Sequence, residues 1–414
     1  MGYERDTTPT LDTIAEDGLV FENAIAPGPS TPESMPAIMT GLYPVDTRES
    51  YPSLLAKRRS VIHRHMKTHE TVAECFQRRG YTTAGFTPNP YTSRYFGFDA
   101  GFDRYEDFIG GSREALYDNV LDRIGRGTPL GMPFPIRVLV NGIRREEVFK
   151  PWEAFYKRIA AWTHHAEKPY FLWILLMDTH DPYLAPAAYR THSRWAMYQA
   201  NWQLWRQGHE PPLSSKTRTR LIRAYDDAVR YADQFLHHLR IDLSDDDPVI
   251  AAHADHGEAF GEHDTYGHNP RLYEENVHVP LVVDGVPAET IEDPISLRSI
   301  PDFLTSLGCD GERPAVDQSA ISHTTDENRW ALRGNVWKYI HSNGATSIAT
   351  ETTSGVGRRE ELYDLALNPR EGTEVENKTL RTICRHLIAH SIETNREHSR
   401  LAAAARALAT GERL

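Results

Sequence analysis

Short apolar runs bounded by polar turns alternate along this chain with stretches whose apolar residues recur every three or four positions. Leu19-Val20-Phe21, Tyr81 to Phe86, Tyr170 to Leu176, Val249 to Ala252 and Leu281-Val282-Val283 are of the first kind. They read as buried strands, the Val249 run in a parallel sheet. Thr8 to Ala15 reads as a helix, with Thr8 as its cap, Pro9 in its first turn and Leu11, Ile14 and Ala15 on one face. Thr71 to Phe76 is a second helix, stopped by Gly80, and Ile300 to Leu304 begins another that ends near Gly308. Between Leu221 and Leu239, Tyr225, Ala228, Val229, Ala232, Phe235 and Leu236 keep helical spacing. This long helix precedes the Val249 strand as a βαβ crossover does. Residues 113–168 are mainly amphipathic and read as a helical insertion or lid. In the last hundred residues, Trp330 to Arg333, Trp337 to His341 and Glu361 to Leu365 form short strands, and Leu380 to Leu408 is a closing helix. The expected division is therefore 1–310 and 311–414.

Composition narrows the class without choosing it. With 414 residues, 40% hydrophobic and 25% charged, the chain has ample length to bury a core. A formal charge of −12 argues against nucleic acid as a partner. No apolar run approaches the roughly 20 residues that span a bilayer. The start, Met1-Gly2-Tyr3-Glu4-Arg5-Asp6, lacks the pattern of a signal peptide, and the three cysteines Cys75, Cys309 and Cys384 are scattered, so the expectation is a cytoplasmic protein with reduced thiols.

Candidate chemistry collects where strands end. Asp255 and His256 follow the Val249 strand, and Gly257 behind them gives the backbone freedom to close around a metal or a phosphate. His180 lies in the turn leaving the Tyr170 strand. Thr31 starts a helix, where free amides and the helix dipole favour an alkoxide and an anionic ester; Thr-Pro at that place also suits simple capping. His63, His65 and His69 sit among Lys57, Arg58, Arg59, Arg64 and Lys67 and read as a solvated basic loop, because cations repel a metal.

Three stretches carry a family resemblance. Ala254-Asp255-His256-Gly257-Glu258, Gly261-Glu262-His263 and Tyr266-Gly267-His268, running on to Val279-Pro280-Leu281, resemble the metal-site loop of the sulfatase family in the alkaline phosphatase superfamily. Ser30 to Pro44, with Thr40-Gly41, is similar to the sulfatase signature and puts Thr31 at the nucleophile position. Asn89 to Asp103 and the final Leu362-Tyr363-Asp364-Leu365 and Asn368-Pro369-Arg370-Glu371 resemble the same family. The resemblance implies an alkaline phosphatase-like α/β fold, a mostly parallel sheet flanked by helices, with a small C-terminal antiparallel subdomain. It implies hydrolysis of a sulfate or phosphate ester borne by a small molecule, glycan or lipid. Thr31, His180 and His268 are then catalytic, Asn89 and His263 contact substrate, and Asp255, His256 and Thr31 hold a divalent metal. An Asp-His pair favours zinc or manganese, with calcium a further candidate.

The sequence also departs from that pattern. Formylglycine is made from Cys or Ser, so Thr31 would attack directly, as in the superfamily's phosphodiesterases and phosphoglycerol or phosphoethanolamine transferases. Met35 replaces an arginine, and Pro36 falls inside the expected helix. In relatives the Tyr3-to-Asp12 pattern follows a strand ending in a metal-binding Asp, and this chain begins after it; the expectation is an internal start site and weak metal binding. The rival reading is a noncatalytic anion-binding relative. Sequence leaves the ester, the metal and the oligomeric state open.

Overall fold

The computed structural model describes residues 3–46, 51–108, 150–206, 213–268, 270–310, 319–324, 329–342 and 359–410. Helix α1 (Pro9–Asp17) buries Ile14. Its N-terminus is closed by Asp233, whose carboxylate accepts from the Thr10 and Leu11 amides at 3.0 Å each, and Thr8 makes no side-chain cap. The expected local cap is thus replaced by a distant one. Beside it Asp226 accepts from the Tyr3 hydroxyl at 2.9 Å and pairs with Arg5, so the opening Tyr-x-Arg stretch is bound through one buried aspartate.

Strand β1 (Leu19–Ile25) leads to α2 (Thr31–Thr40), which is buried along almost its whole length. Pro36 does lie inside this helix, which continues through it and ends at Gly41 in the left-handed region, φ +74°. The basic stretch is not a loop. It forms α3 (Leu54–Thr68), and His65 and His69 are buried with rings stacked 4.2 Å apart, because His65 Nε2 meets the Thr40 hydroxyl at 2.7 Å at the end of α2. Lys57, Arg64 and Lys67 fall away from the helix face that buries Val61, Ile62, His65 and Met66. Helix α4 (Val72–Arg78) follows with a capping box between Thr71 and Glu74.

Strands β2 (Thr82–Phe86) and β3 (Arg104–Glu106) come next, then helix α5 (Glu153–His165) and strand β4 (Tyr170–Ile174). They make a three-stranded parallel sheet, with Ala84 opposite both Arg104 and Leu172. Most of the expected 113–168 insertion lies outside the described residues. Helices α6 (Arg194–Arg206) and α7 (Ser215–Asp242) follow, and α7 buries Leu221, Ala224, Ala228, Tyr231 and Phe235, close to the sequence expectation.

Strand β5 (Ile250–His253), the hairpin β6 (Ala259–Phe260) and β7 (Tyr266–Gly267), helix α8 (Glu274–Val277) and strand β8 (His278–Asp284) complete the central region. Here the parallel expectation for β5 fails. Ala251 faces Val283 across an antiparallel ladder, and β8 is antiparallel to β1 as well. After β5 the chain passes through the β6–β7 hairpin and returns through α8 beside the strand it left, so its direction is reversed; a parallel neighbour would need a crossover. Short strands β9 (Glu289–Ile291) and β10 (Ile295–Ser296) pair parallel to β1, and the sheet is mixed. Among the described residues β4 pairs only with β2 and β5 only with β8, and both are half-buried throughout.

Helix α9 (Ile300–Thr305) packs Phe303 edge-on to Phe21. Strands β11 (Ala320–Thr324), β12 (Arg329–Arg333), β13 (Trp337–Ser342) and β14 (Arg359–Asp364) then form an antiparallel meander, β11 being unanticipated from sequence. Helix α10 (Lys378–Thr410) covers it, with Cys384 and Ile388 against Leu332, Tyr339 and Leu362. Lys338, 0% exposed, fastens this sheet to the rest: it donates to Glu274 at 2.9 Å and lies 3.0 Å from Glu371.

Candidate active site

Thr31 is the first residue of α2, after Ser30 in extended conformation, so its hydroxyl sits at the helix N-terminus. Asn89 reaches it from the loop after β2, donating from Nδ2 to Thr31 Oγ1 at 3.4 Å. The amide cannot turn round, because Asn89 Oδ1 is occupied by the Tyr91 amide at 2.8 Å. His256 Nδ1 lies 2.8 Å from the Gly257 carbonyl, an acceptor, which puts the ring proton there. The Nε2 lone pair therefore faces Thr31 Oγ1, 3.5 Å away. Gly257 is required by space: a Cβ would sit 2.2 Å from the Glu275 carbonyl oxygen, against which the loop is folded.

Asp255 completes the group. Its Oδ2 is buried without a hydrogen-bond partner, 3.8 Å from His256 Nε2. Burial holds His256 below the usual imidazole pKa, Asp255 opposes this, and His268 adds to it. A neutral imidazole leaves the carboxylate uncompensated, which is the condition a bound cation relieves. The orphaned oxygen, the free lone pair and the hydroxyl converge, and this donor set fits a divalent metal.

A second layer of histidines stands beside it. The His268 ring lies 4.7 Å from that of His256 and 5.0 Å from that of His180. His180 Nδ1 is 2.7 Å from the Asp181 carbonyl and 3.0 Å from its carboxylate. Burial alone would depress His180, but the Asp181 carboxylate, with Glu258 beyond it, raises its pKa to about 9. His268 Nδ1 lies 3.3 Å from Glu258 Oε1. His180, Asp181 and His268 also place their donor atoms within 4.8 Å of one another. Sequence reading gave Asp181 and Glu258 no role, although adjacency to His180 and position two after His256 were the available signals.

His263 is held elsewhere. It adopts φ +45°, stacks on Tyr273 at 3.7 Å, and commits Nδ1 to Glu275 at 2.8 Å and Nε2 to the Glu371 carbonyl at 3.3 Å. Both nitrogens are used in joining the hairpin region to the C-terminal segment, which leaves the ring no donor for a substrate. Met35, at the position where the resemblance gives arginine, is buried in the main core.

A mixed sheet flanked by helices and a small C-terminal antiparallel sheet, with a hydroxyl at a helix N-terminus and an Asp-His pair on the loop after β5, make this an alkaline phosphatase-like α/β fold. The sulfatase family model matches residues 1–294, and the chain belongs to that family. Its structure is similar to the phosphonate monoester hydrolase of Agrobacterium radiobacter, at 17% identity and TM-score 0.61, over 96% of this chain and 92% of that one. It is also similar to BT1596, a 2-O GAG sulfatase, at 14% identity and TM-score 0.61, over 96% and 89% of the two chains. A protein of the alkaline phosphatase superfamily from Vibrio parahaemolyticus aligns at 15% identity and TM-score 0.54, over 97% and 82%. At such identities the likeness establishes the fold. No curated protein matches the sequence. Among the described residues no helix is long and apolar enough to cross a membrane.

Proposed function

We propose that this protein hydrolyses sulfuric or phosphoric esters through the Thr31 hydroxyl, with a divalent metal held by Asp255, His256 and Thr31. The observation that carries the reading is the convergence of the partnerless Asp255 Oδ2, the His256 Nε2 lone pair and Thr31 Oγ1 at one helix N-terminus. A metal there, zinc or manganese by donor chemistry, supplies charge neutralisation and a lowered hydroxyl pKa. Asn89 orients Thr31 for attack; because Pro32 has no N–H and the Glu33 and Ser34 amides donate to the Ser30 carbonyl, it is the Thr31 amide that receives an anionic oxygen of the ester. His180, kept protonated by Asp181, delivers a proton to the leaving oxygen, and His268 positions or shares that task. Because Thr31 cannot become formylglycine, the covalent intermediate is a threonine ester, whose bond to Oγ1 is then broken by water to release the acid and restore the hydroxyl; this favours phosphoryl over sulfuryl transfer and a phosphodiester among substrates.

The test is hydrolysis of nitrophenyl sulfate, phosphate monoester and phosphodiester with manganese, zinc or calcium. Metal-dependent turnover that falls at least ~10³-fold in Thr31→Ala supports the reading. Turnover indifferent to Thr31→Ala and Asp255→Ala rejects it, and silence on all three esters with retained anion binding supports the noncatalytic alternative, which the uncharged Met35 position favours.

A further inference from the structure

Helix α6 is turned so that Met197, Ala200 and Leu204 face inward, where they share one apolar cluster with Tyr183 and Tyr266. Tyr183 follows His180 by three residues and Tyr266 precedes His268 by two, so α6 belongs to the packing that carries both histidines. Its outer stripe consists of Trp195, Gln199, Trp202 and Arg206, in steps of four, three and four. All four are exposed, the two indoles by 67% and 44%. Two large aromatic rings on one solvent-facing stripe mark a surface that binds something.

The charge around them is opposite to that of the whole molecule. From Arg190 to Tyr225 there are seven basic residues and one acidic residue, Glu210, in a chain of formal charge −12. Lys216, Arg220 and Arg223 share one face at the start of α7. Arg220 donates to Gln199 Oε1 at 3.1 Å, which sets that basic face beside the tryptophan stripe. Arg206, Lys216 and Arg223 are exposed and pair with no carboxylate among the described residues.

An indole stacks on the C–H face of a pyranose ring, and arginine and lysine take up sulfate, phosphate or carboxylate groups. The two indoles lie seven residues apart, about 10.5 Å along the helix axis, which is the length of a disaccharide. Alternate rings of one glycan chain therefore meet the two tryptophans. With its oxygen held by Arg220, Gln199 keeps its amide N–H groups for hydroxyls between them. A membrane surface fits less well, because a helix that enters lipid turns its aliphatic residues outward, whereas Met197 and Leu204 are buried here. We propose that the outer face of α6 and the adjoining face of α7 bind an anionic glycan, with its rings on Trp195 and Trp202 and its charged groups on Arg206, Lys216, Arg220 and Arg223. This surface is independent of Thr31 and its metal.

Isothermal titration calorimetry of the full chain with a heparin oligosaccharide tests this, beside its desulfated form, polyphosphate, a single-stranded oligonucleotide and phosphatidylserine vesicles. The sulfated oligosaccharide is expected to bind at micromolar concentration and more weakly as salt is added, and the desulfated form at least ~10-fold more weakly. Trp195→Ala with Trp202→Ala, and separately Lys216→Glu with Arg223→Glu, should each lower the affinity at least ~10-fold. Thr31→Ala should bind as the wild type does, so a failure of the catalytic reading leaves this surface in place. Circular dichroism and the unfolding midpoint check that the exposed substitutions leave the fold intact. No binding of the sulfated oligosaccharide, tryptophan changes without effect, or binding lost in Thr31→Ala overturns the assignment. Polyphosphate, oligonucleotide or vesicles bound as tightly as the glycan overturn it as well.

Discussion

Replacing Asp255 by asparagine separates stability from metal binding. In the metal-free protein Asp255 Oδ2 is buried and accepts nothing, and the nearest basic atom, His256 Nε2 at 3.8 Å, belongs to an imidazole whose pKa burial has lowered. An unsatisfied buried polar atom costs about 1–3 kcal/mol, more when charged. Asp255→Asn removes the charge at nearly constant shape. For a chain of this length one kcal/mol moves Tm by about 1 °C, so the metal-free variant should melt about 1–3 °C above wild type. Metal reverses the order. At one hundred times Kd a ligand adds about 2.7 kcal/mol to wild type, whereas the variant, having lost a ligand atom, gains little. Differential scanning calorimetry over a manganese or zinc titration reads both effects, alongside ester turnover, which the variant should lose. A metal-free variant destabilised by more than about 1 kcal/mol would mean that Oδ2 is satisfied after all. A variant that keeps the full metal shift would show that Asp255 is no ligand.

The folded pKa of His180, about 9, lies above the ordinary imidazole value, so the protonated form and its stabilising pair with Asp181 are complete below about pH 6.5 and lost as pH rises through about 9. Activity should fall about tenfold per pH unit above that limb, and Asp181→Asn should move the limb to neutral pH or below; an unmoved profile assigns the proton elsewhere. Lys338→Met leaves Glu371 buried without its cation, while Glu274 keeps Arg333 at 3.5 Å, and should cost about 3–5 kcal/mol in a urea titration, with most of the loss recovered when Glu371 is also made apolar.

Local chemistry made part of this legible from the start. The Val249 and Tyr170 runs are strands, and Asp255, His256 and His180 occupy the loops that leave them, because an apolar run closed by polar residues has few other solutions. The helix opening at Thr31 was equally plain, and its continuation through Pro36 follows from burial on every side, which outweighs one missing hydrogen bond.

Other features depended on partners far away in the chain. Asp233 took over the cap expected of Thr8 from more than two hundred residues away, and His65 went inside where Thr40 was there to receive it, with His69 stacked on its ring. The direction of β8, the withdrawal of His263 to Glu275 and Glu371, and the placing of Asp181 beside His180 and of Glu258 beside His268 were decided the same way. A sequence displays which donors, acceptors and apolar faces exist and how its neighbours shape them. Pairing among them is settled only when the chain closes, because a buried polar atom takes whichever complementary atom the packing brings within about 3 Å.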